Sequence, residues 1–141
     1  MADYNAIKTL KVGSGSVVIE GISYAYDIIS AKLEPRVPNF VGFPDSEYLF
    51  ISEEVPEKYR YPMLAHEVRC FALKDAGHAG HCKAAVAYEL TFVSGNEKRA
   101  YLAFRREFFE KLVSYYEQEG KTHAPFIPEI RASRDFLQTI A

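Results

Sequence analysis

Tyr48-Leu49-Phe50-Ile51-Ser52-Glu53-Glu54-Val55-Pro56-Glu57-Lys58-Tyr59-Arg60-Tyr61-Pro62-Met63-Leu64-Ala65-His66-Glu67-Val68-Arg69-Cys70 is the stretch in which this chain changes its period. Residues 47 to 52 centre on Tyr48-Leu49-Phe50-Ile51, a run of β-forming side chains, and predict a short strand closed by a Glu53-Glu54 turn. Beyond Pro56 the apolar residues recur at helical spacing. Leu64, Val68 and Phe71 share one side, and Met63, His66, Cys70 and Leu73 the other, so this helix is expected to be covered on both faces. An internal proline costs a helix about 3 kcal/mol, which places Pro62 in a first turn and the helix start near Tyr59 to Tyr61.

Upstream of this stretch the pattern is β. Leu10 and Val12, then Gly13-Ser14-Gly15, then Val17-Val18-Ile19 predict a hairpin over residues 8 to 20. Gly21 permits a second turn, after which Ile22, Tyr24, Tyr26 and Ile28 alternate with smaller or polar residues as in a half-buried strand. Pro35, Pro38 and Pro44 break up residues 33 to 46. Downstream the pattern is helical. Gly77-His78-Ala79-Gly80 makes a loop, and a second helix runs from about His81 to Val93. Ser94 and Glu97 have capping-box spacing before a third helix, which Gly120 closes. A terminal helix covers Glu129 to Ile140. The class is therefore α+β: a small N-terminal antiparallel sheet packed against three to four C-terminal helices, in a single domain over residues 1–141.

Composition narrows the function. With 17 basic and 19 acidic side chains the net charge is -2, and no basic stripe is interleaved with aromatics, so a nucleic-acid partner is not expected. Nor is a membrane: no apolar run approaches the roughly 20 residues of a spanning helix, and the N-terminus has no signal-peptide pattern. The expected location is cytoplasmic, where the two cysteines would be reduced. The helix from about Asn96 to Glu119 carries aromatics at 101, 104, 108, 109, 115 and 116, too widely spread for one core-facing stripe. That excess points to a homo-oligomer, or to a groove for a peptide or protein partner.

Every histidine and cysteine except His123 lies between His66 and Cys82. These side chains bind transition metals, or act as nucleophile and base. His66 and Cys70 are one helical turn apart, roughly 5 to 6 Å between β-carbons. The segment from Pro62 to Cys70 resembles the active-site helix of the zincin metallopeptidases, in which His-Glu-x-x-His supplies two zinc ligands and a general base. A preceding strand and a following helix resemble the minimal core of that fold. The resemblance implies that His66 is a zinc ligand and Glu67 the catalytic base. Cys70 stands where the second histidine would be, and a thiolate makes the metal a poorer Lewis acid. His81 and Cys82 are the better candidates to complete the set, ahead of His78. Glu89, eight residues beyond His81, lies about 12 Å further along a helix and suits a partner to a ligand ring rather than a ligand.

The expected function is thus a small zinc-binding protein of zincin type, either a hydrolase or a catalytically degenerate relative. Two alternatives stand beside it: a metal-free thiol protein, and a metal-free homodimeric binding or assembly module without catalysis. Taken singly, the residues also have plainer roles. Cys70 and Cys82 suit small buried hydrophobes, Glu89 a surface acid, and Arg99, Arg105 and Arg106 a solvated face.

Overall fold

A computed structural model describes residues 4–120, 124 and 126–140. A short helix α1 (Asn5–Lys8) precedes strands β1 (Lys11–Ile19) and β2 (Ile22–Ile29), then β3 (Val41–Gly42) and β4 (Phe50–Ser52). Helices α2 (Glu57–Asp75), α3 (His81–Leu90), α4 (Gly95–Gln118) and α5 (Ile127–Thr139) follow. The α+β class with its N-terminal sheet and C-terminal helices is what the structure shows. Among the described residues no helix is long and apolar enough to cross a membrane.

The sheet order is β1-β2-β4-β3. It is mixed, not antiparallel throughout: β2 and β4 run parallel, with Asp27 opposite Phe50 and Ile29 opposite Ser52. Parallel neighbours need a crossover of a dozen or more residues, which the proline-broken segment between them supplies. The expected turn at Gly13-Ser14-Gly15 does not form. Those residues lie inside β1, where Gly15 opposes Tyr26 and a β-carbon on it would stand 2.6 Å from Tyr26 Cζ. Glycine there makes room for a cross-strand ring. The hairpin instead turns at Glu20 and Gly21, both at positive φ (50° and 79°), which matches the twist of a two-residue turn.

Helix α2 starts two residues before the expected range. Pro56 is its N-cap residue and Glu57 lies in the first turn, where the helix dipole favours an acid. Pro62 therefore falls in the second turn, and the Lys58 carbonyl loses its helical donor. Ser94 does precede α4, but its side chain makes no cap bond; Glu97 instead pairs with Lys58 at 3.2 Å.

Two apolar clusters form the interior. In the first, Ile19, Leu49 and Ile51 of the sheet side meet Tyr59, Met63 and Leu64 of α2 and Tyr101 of α4. The second joins Cys82 and Val86 of α3, Leu102, Phe109 and Val113 of α4, and Ile127 and Leu137 of α5. The α4 aromatics pack within the chain: Tyr101, Phe108 and Phe109 are buried, and Phe104, Tyr115 and Tyr116 pack against the same clusters. His66 lies where the two clusters meet, following Met63, Leu64 and Ala65 of the first and facing Cys82 of the second.

Candidate metal centre

Helical spacing brings His66 and Cys70 to one side of α2, and α3 packs against that helix. Between them the chain turns through Gly77 and Gly80, at φ 80° and 74°, a conformation disfavoured for residues with a β-carbon. The turn makes Cys82 the second residue of α3, facing back to α2. The donor atoms of His66, Cys70 and Cys82 all lie within 4.8 Å of one another, with Cys82 Sγ 3.9 Å from His66 Nε2. Ligands around a tetrahedral zinc stand about 3.5 to 4 Å apart, so small side-chain rotations close this group on an ion. The group can hold a metal.

Glu129 of α5 fixes the start of α3 from outside. Its carboxylate accepts from the backbone N–H groups of Gly80 and Cys82, both at 3.1 Å, where Gly80 has no side chain to cap the helix. His81 stands behind the cluster, with Nδ1 3.2 Å from Cys70 Sγ and Nε2 3.6 Å from Glu129. His78 is exposed on the loop, away from these donors. His123 lies outside the described residues.

Behind His66 is a second set of polar groups. Nδ1 lies 2.7 Å from Glu89 Oε1, and that carboxylate also accepts from Arg105, through Nε at 2.9 Å and Nη2 at 3.0 Å. The Tyr101 hydroxyl donates to its other oxygen. Burial disfavours the His66 cation, but the Glu89 carboxylate and then Cys82 outweigh it and hold the imidazolium up to about 10. Burial likewise opposes the Glu89 charge, and Arg105 and His66 reverse that, lowering its carboxyl. With Nδ1 held by Glu89, the ring turns Nε2 toward the thiols, as a metal-ligating histidine requires.

The two cysteines divide their charge unequally. Cys70 donates toward Cys82, which raises the Cys70 thiol and holds Cys82 well below the ordinary thiol range; the His66 cation and the Ser133 hydroxyl act in the same direction on Cys82. Its place in the first turn of α3 also favours a thiolate. A metal held by this group would displace the proton from His66 Nε2 and the one remaining on Cys70.

Glu67 is half-buried, its Oε2 3.7 Å from His66 Nε2. Burial pushes its carboxyl up to about 7, the neighbouring His66 cation pulling the other way. It lines a cavity of about 300 Å³ together with His66, Cys70, His81, Cys82 and Glu129.

The structure thus brings together His66, Glu67, Cys70 and Cys82, places His81 against Cys70, and puts Glu89 behind the ligand ring, fully buried. The expected solvated arginine face is corrected at one position: Arg105 is 1% exposed. A signal for it exists in the spacing Tyr101, Arg105, Phe109, Val113, which puts the arginine in line with three core residues. Glu129 had no such signal, since only the tertiary fold delivers it to α3. Comparison with known proteins found no matching family model, no matching curated protein and no matching solved structure.

Proposed function

We propose that this chain is a zinc-dependent hydrolase of zincin type, with His66, Cys70 and Cys82 as ligands and Glu67 as general base. One observation carries the reading: three nitrogen and sulfur donors gather within 4.8 Å at the wall of a cavity that Glu67 also lines. The donor set suits zinc, and three protein donors are the number found in catalytic rather than structural zinc sites. A zinc ion held there supplies Lewis acidity and a nucleophile near neutral pH. Glu67 takes the proton from the attacking water at Oε2 and returns it to the leaving group. His66 on the helix that follows β4, with α3 returning a further ligand, supports the likeness to the zincins. Two free thiols suit a reducing, cytoplasmic setting.

The test is made on untagged protein reconstituted with zinc. Elemental analysis should find about one zinc per chain, as in known three-ligand sites. With a panel of amide and ester substrates, Glu67→Gln should lower turnover by about 10²- to 10⁴-fold, the range of a lost general base, without changing zinc content. Full turnover in that variant, or a chain that takes up no zinc, would overturn the reading.

A further inference from the structure

We infer that Cys70 and Cys82 are a redox pair, which hydrogen peroxide oxidises to a disulfide between α2 and α3. The two thiols are free, and their sulfurs lie within 4.8 Å of each other. They are also the only cysteines of the chain, so no third thiol competes for either. Each sits on a helix that packs against the other's, with the turn at Gly77 and Gly80 between them. The helices are already in place, and what remains is to close the sulfurs to the about 2.05 Å of a bond.

The surroundings set the order of events. Cys82 is the second residue of α3, with its sulfur 3.9 Å from His66 Nε2. A helix start and a histidine neighbour both favour a thiolate there, so Cys82 is the sulfur that attacks. Both cysteines line the cavity of about 300 Å³, but Cys82 is only 6% exposed, which suits an oxidant as small as peroxide. The Cys82 sulfur bonds to one peroxide oxygen, the O–O bond breaks, and the departing hydroxide takes the proton of the Cys70 thiol to become water. The Cys70 sulfur then bonds to Cys82, breaking its S–O bond, and the second hydroxide leaves and is protonated by solvent. Two electrons have passed from the sulfurs to the peroxide. A thiolate is the metal-binding form of cysteine, so the disulfide takes two of the three donors from the proposed zinc site and leaves His66 alone. That last consequence rests on the metal reading above; the disulfide does not.

The experiment treats the metal-free full chain with stoichiometric hydrogen peroxide and reads intact mass and free thiols. The folded chain should lose two hydrogens and both thiols, and dithiothreitol should restore them. Protease digestion of the oxidised chain should yield the peptides of Cys70 and Cys82 linked to each other. Cys70→Ser should stop at the first step and gain one oxygen, whereas Cys82→Ser should not react at that dose. The folded wild type should also react faster than the chain in urea, where nothing holds the two sulfurs together. Equal rates in the two states, disulfides between chains, or a wild type that keeps both thiols overturn the pair. Should a serine variant not fold, the linked peptides and the comparison with urea decide. Zinc is measured separately: a chain shown to bind it should release it to a chelator on oxidation and take it up again after dithiothreitol. A chain that takes zinc but keeps both thiols when treated without metal refutes the redox pair alone, and a chain that forms the disulfide but takes no zinc refutes the metal reading alone.

Discussion

The two ring nitrogens of His66 face opposite surroundings. Nδ1 looks into a closed set of groups: Glu89, Arg105 and Tyr101, at 0%, 1% and 0% exposure, turned on one another. Nε2 looks toward two thiols, Glu67 and a cavity. The closed side repeats its contacts, so that Glu89 is held by a histidine, a tyrosine and two arginine nitrogens. The open side holds groups in unequal protonation states that an ion or a ligand would change. A rigid, redundant polar anchor on one nitrogen fixes the direction in which the other faces.

The largest effect should come from the middle of the closed side. Glu89→Ala removes the carboxylate that pairs with both His66 and Arg105 and leaves a buried guanidinium without its ion-pair partner. Breaking a buried pair from one side costs about 3–5 kcal/mol, so the metal-free chain should lose that much stability in urea unfolding. A loss below about 1 kcal/mol would mean that water already reaches Arg105 and that the closed side is not closed.

The sequence shows the two sides with unequal clarity, for a physical reason. His66, Glu67 and Cys70 share one helix, where spacing alone sets neighbours, and Cys82 follows a loop whose glycines mark the turn. The site's open half is therefore local. Of the closed half, Glu89 was legible as the partner of a ligand ring, but Arg105 and the clamp residue Glu129 lie on two further helices, and no local pattern says that a charged residue has its partner elsewhere in the fold. Arg105 and Arg106 are neighbours in sequence, yet 100° apart on α4 they serve different structures: Arg105 holds Glu89, and Arg106 Nε donates to the Leu137 carbonyl at 3.0 Å. The strands divide likewise. The β2 alternation was legible, because one face of it packs on the core. The parallel pairing of β2 with β4 was not, since direction depends on where a proline-broken crossover returns the chain.

The open side can be sharpened by removing one ligand. Cys82→Ser replaces the sulfur held as a thiolate with a hydroxyl that does not ionise near neutral pH. Zinc affinity should fall by more than the roughly 10- to 100-fold that follows loss of a group behind a ligand. His78→Ala, on the exposed loop, should leave affinity unchanged. The measurement is competition with a chelator of known affinity. Equal affinities in wild type and Cys82→Ser would remove Cys82 from the ligand set and open the place to His81, whose Nδ1 stands 3.2 Å from Cys70 Sγ.

The smallest effect tests the redundancy of the closed side. Tyr101→Phe removes only a hydroxyl. The ring keeps its edge contact with Tyr59, 5.0 Å between centres, and its place in the sheet-side cluster. Glu89 loses one donor on Oε2 but keeps Arg105 Nε at 2.9 Å on that oxygen, and His66 and Arg105 Nη2 on the other. The expected loss is about 1 kcal/mol in urea unfolding, the net worth of one hydrogen bond whose acceptor stays occupied, with zinc affinity unchanged. A loss near that of Glu89→Ala would show that the hydroxyl, and not the ion pair, positions the carboxylate. An accompanying fall in zinc affinity would show that the anchor transmits small displacements to Nε2, and the two sides of His66 would then be one mechanical unit. If stability falls slightly and metal binding stays put, redundancy on one nitrogen is what isolates the ligand position on the other.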